Sequence, residues 1–173
     1  VKKGQIIFNE GDTVQGIYFV YSGTVKVHKQ WGGDKELIIR FAKRGDIFGH
    51  RGLGEETVYP VSATAIEQSV VCFIKLDFFL STLKVNNEYL FKLMMFFAED
   101  LNISERRMRD LAHMPVKGRI ASSLLALSKK FGISANGHID ILLSRQERAS
   151  YAGTTYETLF RTLNELAEEK IIR

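Results

Sequence analysis

Two helix-start signals lie close together near the end of the chain, and they constrain its fold more than any other feature. Ser144 is followed three residues later by Glu147, and Thr154 is followed three residues later by Glu157. In such a capping box the hydroxyl accepts a backbone N–H, and the Glu side chain reaches back to the cap. The link between the two predicted helices carries Gly153, a residue that readily takes the positive φ of a helix exit. The pattern predicts a helix-turn-helix.

The second predicted helix has an apolar face and a polar first turn. Leu159, Leu163 and Leu166 recur at helical spacing. Glu157 and Arg161 share the opposite face, where a Glu can accept from the cytosine amine and an Arg can bind guanine O6 and N7 together. The same two residues also fit an ordinary surface helix, in which Glu157 closes the capping box and pairs with Arg161.

The stretch from Leu143 to Leu163, LSRQERASYAGTTYETLFRTL, resembles the DNA-binding motif of the cyclic AMP receptor protein and fumarate-nitrate regulator (CRP/FNR) superfamily. The resemblance implies a double-stranded DNA partner with an inverted repeat containing TGA in each half-site, and RNA polymerase as a further partner. Tyr156 stands where the cyclic AMP branch has an Arg, and Phe160 stands where a small residue is usual. The implied contacts are base readers at Tyr156, Glu157, Phe160 and Arg161, and phosphate contacts at Ser144, Arg145, Gln146, Thr155 and Thr158.

Composition narrows the class of protein. The chain has 173 residues, of which 45% are hydrophobic and 25% charged, as expected for a globular protein of one large or two small domains. No apolar run of transmembrane length and no secretory signal is found, so we expect a cytoplasmic protein without a membrane partner. The single Cys72 excludes an internal disulfide and an iron–sulfur cluster ligated by the cysteines of one chain. Its apolar surroundings predict a buried thiol.

Residues 6–74 alternate short apolar segments with Gly-containing turns, which predicts an antiparallel β-barrel or double sheet. Within them, GQIIFNEGD and IYFVYSGTVKV resemble cyclic-nucleotide-binding domains. The expected fold class is therefore α+β. It comprises a cyclic-nucleotide-binding-like barrel of the jelly-roll type over residues 1–86, a dimerisation helix and hinge over 87–114, and a winged helix-turn-helix over 115–173. The chain stops where the family's wing starts, so we expect further chain at both ends.

The region that matches the family's phosphate-binding cassette departs from the nucleotide-binding pattern. His50 stands where a ribose-binding Glu is expected, and Tyr59 or Pro60 lies nearest the missing Arg. An uncompensated buried phosphate costs on the order of several kcal/mol, so cyclic AMP is not the expected ligand. Arg51, helped by His50 at acid pH, can offer charge to another anion, or both can be solvent-facing residues of a degenerate cassette. The candidate effector pocket comprises Gly49, His50, Arg51, Gly52, Leu53, Tyr59 and Ser62.

No cofactor is evident from the sequence. The four histidines show no spacing typical of metal ligands and are expected to be isolated loop or surface residues. The effector, if one exists, is unknown.

Residues 87–111 contain no Gly or Pro and predict one long helix. A second apolar strip at Phe91, Met95 and Ala98 is expected to pack on the barrel. Two strips favour two partners, and a symmetric dimer would match a palindromic operator, although a monomer could bury both internally. The first apolar strip of this helix recurs at alternating steps of four and three residues, which is the heptad pattern of a dimer seam. It comprises Leu90, Met94, Phe97, Leu101, Ser104, Met108 and Leu111.

Pro115 marks the hinge after the long helix. A helix is expected over 116–131, ended by Gly132, followed by a short strand over 139–143. Residues 115–173 carry nine Lys and Arg against six Asp and Glu, so the positive charge is concentrated in the part that carries the helix-turn-helix.

These patterns favour a homodimeric, sequence-specific DNA-binding transcription regulator whose barrel senses an effector. The alternative is a cyclic-nucleotide-type regulatory module that controls a partner protein, which would need an intact cassette and no recognition helix. An enzyme is not expected, because no nucleophile elbow, zinc-protease or phosphate-loop motif occurs.

Overall fold

A computed structural model describes residues 1–33 and 35–172. The chain forms two compact units, Val1–Asn102 and Ile103–Arg173, and the long helix α2 (Asn87–His113) runs from the first into the second. None of the helices in the described ranges is long and apolar enough to cross a membrane.

The described residues of the first unit form seven strands in two antiparallel sheets, followed by helix α1 (Leu76–Val85). One sheet has the strand order β1-β6-β3-β4 and the other β5-β2-β7, so the expected jelly-roll-like architecture is confirmed as two sheets rather than one closed barrel. The strands are β1 (Ile6–Phe8), β2 (Gly16–Ser22), β3 (Val25–Trp31), β4 (Lys35–Ala42), β5 (Ile47–Phe48), β6 (Ser62–Ala65) and β7 (Val70–Lys75).

The interior of the first unit is aliphatic and aromatic. Its described residues include two apolar clusters. The smaller of these two joins the sheet of β2 to the helices through Ile17, Ile47, Phe79 and Leu93. Along β2 and β3 the buried residues lie in the first part of each strand, and the last residues of both strands are exposed. The larger cluster contains Phe8, Val14, Val20, Val25, Val27, Ala42, Phe48, Tyr59, Val61 and Ala63.

Helix α2 contacts the rest of the first unit through a different face from the one predicted. Leu93 is buried, and Phe96 and Phe97 pack against the same cluster. Phe91 and Met95 are 58% and 53% exposed, so the expected packing of their strip on the barrel is wrong. The reason is that Leu93, Phe96 and Phe97, at steps of three and one, already form the inward face.

Cys72 and His28 of the first unit also depart from the expected burial. Cys72 is exposed, and so is the following residue Phe73, so this part of β7 lies at the surface and not in the core as expected. His28 is buried in β3, with Nε2 2.9 Å from Thr64 Oγ1 and Nδ1 2.9 Å from Glu36 Oε1. The expectation that the histidines lie on the surface is therefore wrong for His28.

The second unit packs three helices around one core. After the end of α2 come α3 (Val116–Phe131), α4 (Arg145–Ala152) and α5 (Tyr156–Glu168). Gly132 ends α3 with a φ of 85°, as predicted. Residues 139–143 do not form the expected strand, because within the described ranges their backbone pairing is the isolated bridge from Ile139 to Ile133. The core residues are Ile120, Ala149, Ala152, Leu159 and Leu166.

Candidate functional site

The start of α4 is fixed by a complete capping box. The Ser144 hydroxyl accepts from the Glu147 N–H at 3.1 Å, and the Glu147 carboxylate accepts from the Ser144 N–H at 2.8 Å. Ala149 and Ala152 are buried, so α4 packs closely on its neighbours. Gly153 ends the helix with a φ of 65°, the left-handed conformation that a glycine adopts without strain. The first helix of the predicted motif is thus confirmed in detail.

The start of α5 differs from the prediction. Its N-cap is Thr155, whose hydroxyl accepts from the Thr158 N–H at 3.3 Å, so the expected capping box from Thr154 to Glu157 is wrong. The helix begins one residue later than the box would require. Because Glu157 has no cap to close, its carboxylate stays free for other partners.

The first turns of α5 present an exposed polar face. Glu157 and Arg161 are both exposed, whereas Leu159 and Leu166 are buried in the core of the second unit. The i,i+4 ion pair that an ordinary surface helix would form between Glu157 and Arg161 is not found in the described part of the chain. A carboxylate and a guanidinium therefore lie uncompensated, one turn apart on the same face.

Arg145 and Tyr156 connect the starts of the two helices. The Arg145 Nη1 donates to the Tyr156 hydroxyl at 2.8 Å, and its guanidinium lies 6.0 Å from the centre of the Tyr156 ring. The Tyr156 ring lies 6.2 Å from the ring of Phe160. The structure therefore brings a predicted phosphate contact and two predicted base readers into one cluster.

The turn between α4 and α5 is held by two arginines that the sequence had not singled out. Arg119 of α3 donates to the Gly153 carbonyl at 3.1 Å and to the Ala152 carbonyl at 3.4 Å. Arg107, near the end of α2, donates to the Tyr151 carbonyl at 2.8 Å. Carbonyls at a helix end lack helical partners, so guanidinium donors satisfy them.

In the first unit, aromatic rings fill the region next to the predicted effector pocket. The Tyr59 side chain is 2% exposed, and its ring stacks 3.9 Å from that of Phe8. Its hydroxyl donates to the Gly16 carbonyl at 2.8 Å. Tyr18 and Phe48 stack 5.1 Å apart beside them. Tyr59 is thus a core residue whose polar atom is already satisfied.

The other cassette residues are arranged around a short 3₁₀ helix at His50–Gly52. Gly49 has a φ of 83°, and a Cβ on Gly52 would lie 2.5 Å from the Val14 Cγ2 atom, so both positions require glycine. Leu53 packs against the second apolar cluster. The Ser62 hydroxyl accepts from the backbone N–H of Glu10 at 2.9 Å.

His50 is buried. The alternative in which His50 and Arg51 are both solvent-facing residues of a degenerate cassette is therefore wrong for His50. The side chain is 2% exposed, and its ring lies 5.1 Å from that of Phe96 and 5.4 Å from that of Phe97. Phe97, a predicted seam residue, therefore also packs within the first unit. The His50 Nε2 atom is 3.6 Å from Asp100 Oδ2, which is ion-pair rather than hydrogen-bond distance.

Asp100 of α2 lies among the basic side chains of the cassette region and pairs with them. Its carboxylate accepts from Arg51 Nη2 at 2.7 Å and lies 3.8 Å from Arg40 Nη1. Arg40 also donates to the Ile47 carbonyl. Burial would raise the pKa of Asp100, but His50, Arg51 and Arg40 together lower it to about 2, so the carboxylate is ionised at neutral pH.

The pKa of His50 moves downwards. Burial lowers it, Asp100 opposes that effect, and the charges of Arg40 and Arg51 add to it. The imidazole is therefore neutral at physiological pH. The cluster then holds two guanidinium groups and one carboxylate.

Two family models match the chain. The cyclic nucleotide-binding domain matches residues 1–86, and the Crp-like helix-turn-helix domain matches residues 118–173. A cAMP-activated global transcriptional regulator CRP of Salmonella typhimurium is 30% identical over 96% of this chain and 80% of its own length. The chain belongs to the CRP/FNR family.

Other members of the CRP/FNR family agree with this assignment. The anaerobic regulatory protein of Bacillus subtilis is 27% identical over 99% of this chain and 74% of its own length. The structure of FixK2 from Bradyrhizobium japonicum superposes with a TM-score of 0.87 at 25% identity, covering 99% of this chain and 84% of that protein. CRP/FNR proteins are transcription regulators rather than enzymes, so this chain is a regulator of the same type.

Of the residues in the charged cluster around His50, Arg40 and Asp100 were not predicted from the sequence. Asp100 lies four residues after Phe96, on the inward face of α2, but the sequence pattern had predicted that face at Phe91, Met95 and Ala98. Arg40, within an otherwise apolar stretch of β4, gave no comparable signal. The described residues contain no cluster of three or more His, Cys, Asp or Glu side chains that could hold a metal.

Proposed function

We propose that the chain is a homodimeric regulator that reads an inverted-repeat DNA site through α5, binds RNA polymerase, and does not use cyclic AMP as its effector. The observation that carries the DNA-reading part is the exposed, unpaired combination of Glu157 and Arg161 at the capped start of α5. Unpaired charges on a rigid helix end can bond base edges without first breaking an internal ion pair. A DNA reader of this type works in the cytoplasm.

A TGA-containing half-site fits the chemistry of these two residues. An Arg binds guanine O6 and N7 together, and a Glu accepts from the amine of the cytosine paired with a guanine. The helix macrodipole also places partial positive charge at the start of α5, which favours approach to phosphates. Ser144, Gln146 and the exposed Thr155 lie at the adjoining helix starts, where phosphate contacts of this kind are made.

The dimer is supported by the apolar surface of α2. Met94, Leu101 and Met108 are 55%, 60% and 67% exposed, and they recur at heptad spacing. Leu90 and Leu111 extend the seam at both ends, and the half-buried Ser104 lies within it. An exposed apolar stripe along a 27-residue helix, interrupted by Ser104, is the surface that a two-fold partner helix would cover.

The proposal on the effector rests on the packing of the cassette region. Tyr59 fills core space with a satisfied hydroxyl, and Asp100 already neutralises Arg51. A cyclic nucleotide phosphate would have to compete with this carboxylate for Arg51. The other residues of the 3₁₀ helix are His50 and Gly52, so Arg51 is its one guanidinium. We therefore expect DNA binding that does not require cyclic AMP.

The decisive experiment is fluorescence anisotropy of the ligand-free protein with inverted repeats centred on TGA half-sites, at two salt concentrations. A scrambled duplex of equal length is the control, and each titration is repeated with cyclic AMP. Tighter, salt-sensitive binding to the inverted repeat, unchanged by cyclic AMP, is the expected result. Equal binding to both duplexes would refute DNA reading, and a requirement for cyclic AMP would refute only the effector part.

The dimer is tested separately by placing a charge in the seam. Leu101→Glu should weaken self-association at least about tenfold, because the carboxylate would have to be buried in the apolar interface. Asn102→Glu adds the same charge to the next exposed residue outside the heptad pattern and serves as the matched control. Light scattering that reports the same dimer for both variants would place the interface elsewhere.

A further inference from the structure

The exposed face of α5 that carries Glu157 and Arg161 also carries Phe160, whose ring cannot form hydrogen bonds to base edges. Phe160 is 48% exposed, although its neighbour Leu159 is buried in the core. Its ring lies 6.2 Å from that of Tyr156, one turn earlier on the helix. The two rings form an apolar patch bordered by the exposed charges of Glu157 and Arg161.

The patch is braced from the first helix of the motif. Arg145 donates to the Tyr156 hydroxyl at 2.8 Å and stacks its guanidinium 6.0 Å from the ring centre. The hydrogen bond and the guanidinium together restrain the Tyr156 ring. Phe160 rests against a ring that does not need to be reordered when DNA approaches.

We propose that Phe160, supported by Tyr156, is a specificity-determining residue that contacts the C5-methyl group of a thymine. The thymine methyl is the apolar group that base pairs display in the major groove, and it is recognised by side chains such as Phe. Phe160 lies three residues after Glu157 and directly before Arg161, so its thymine neighbours the base pairs that these two residues read. The proposal rests on the proposed function, because it requires α5 to enter a major groove.

The test replaces thymine by uracil, which removes the methyl group and leaves every hydrogen-bonding group of the base pair in place. The full chain first selects its preferred site from a pool of randomised duplexes. Each thymine of the selected site is then replaced singly by uracil, and the affinity is measured by anisotropy. We expect one position in each half-site to lose about fourfold in affinity, the effect of uncovering one buried methyl group.

Variants of Phe160 identify the residue responsible. Phe160→Ala should bind the thymine and uracil duplexes equally, whereas Phe160→Leu should keep most of the discrimination. Leu125→Ala removes a 70% exposed apolar side chain from α3 of the same unit and should keep it fully. Circular dichroism of each variant checks that the helices are retained.

The outcomes separate this proposal from the function on which it rests. Failure to enrich any sequence from the pool would overturn DNA reading, and the role of Phe160 with it. Enrichment of a site without loss at any uracil position overturns the role of Phe160 alone. The same is true if Phe160→Ala retains the wild-type preference for thymine.

Discussion

The two units of the molecule differ in the pairing and the exposure of their charged side chains. In the first unit, Arg40, Arg51 and His50 surround one carboxylate, Asp100, and all four side chains are largely shielded from solvent. In the second, Glu157 and Arg161 are exposed and lie about one helical turn apart, and neither has an ion-pair partner among residues 1–33 and 35–172.

We call the Asp100 cluster the closed site, because its charges are paired within the protein. We call Glu157 and Arg161 the open site, because their charges face solvent. A cation cluster that already contains its own anion gains little from an external anion, because the internal carboxylate must first be displaced. Charges that point into solvent keep their hydrogen-bonding capacity for a partner with complementary groups. This difference is the reason for proposing that the cassette does not bind cyclic AMP and that α5 reads DNA.

Removal of the central carboxylate is the most severe test of the closed site. Asp100→Ala would remove the carboxylate that pairs with Arg51 and lies beside Arg40, and we expect the free energy of unfolding to fall by about 3 kcal/mol. Urea unfolding followed by circular dichroism measures the change. Glu105→Ala removes an exposed carboxylate from the same helix and should change it by less than about 0.5 kcal/mol. Equal effects of the two variants would show that the cluster is not stabilising.

The open site is tested by truncating the two exposed charges. Glu157→Ala and Arg161→Ala should each weaken binding to the specific duplex by about 1 to 3 kcal/mol and relax base preference, while random DNA is bound nearly as before. Glu168→Ala removes a carboxylate three turns further along α5 and is the matched control. Parallel losses on specific and random DNA would remove both residues from the set of base readers.

The buried imidazole makes the closed site sensitive to pH. Burial lowers the pKa of His50 below its usual 6.5, so the unfolded chain binds a proton at a higher pH than the folded one does. Stability should therefore decrease from about pH 7.5 to about pH 5.5, by at most about 1.4 kcal/mol per pH unit from this group. His50→Gln should flatten the dependence of urea midpoints on pH, and His113→Gln, at an exposed position, should not. An unaltered slope in His50→Gln would assign the effect to other groups.

The smallest expected effect concerns Arg145, which lies beside the open site. Arg145→Ala should weaken binding to all DNA sequences similarly and reduce the slope of log affinity against log salt by about one, as expected for one lost phosphate contact. Arg145→Lys keeps the charge and should keep the slope. A change in base preference with the slope retained would mean that Arg145 acts through Tyr156 instead.

Local sequence signals predicted the second unit well and the first unit only in outline. The α4 capping box follows from Ser144 and Glu147 alone, because its partners are three residues apart. At the next helix two adjacent threonines compete for the cap, and the sequence does not show that Thr155 wins. The contact between Asp100 and Arg51 joins residues 49 positions apart, so no local pattern could reveal it.

The clamped turn of the helix-turn-helix has a consequence for the kinetics of DNA recognition. Arg119 and Arg107 satisfy the carbonyls of Tyr151, Ala152 and Gly153 before any DNA is present. The conformational entropy of this segment is thus lost when the protein folds, and little of it remains to be lost on encounter with a duplex. The motif can dock as a rigid body, so sequences of different affinity should differ mainly in how long they hold the protein, rather than in how fast they capture it.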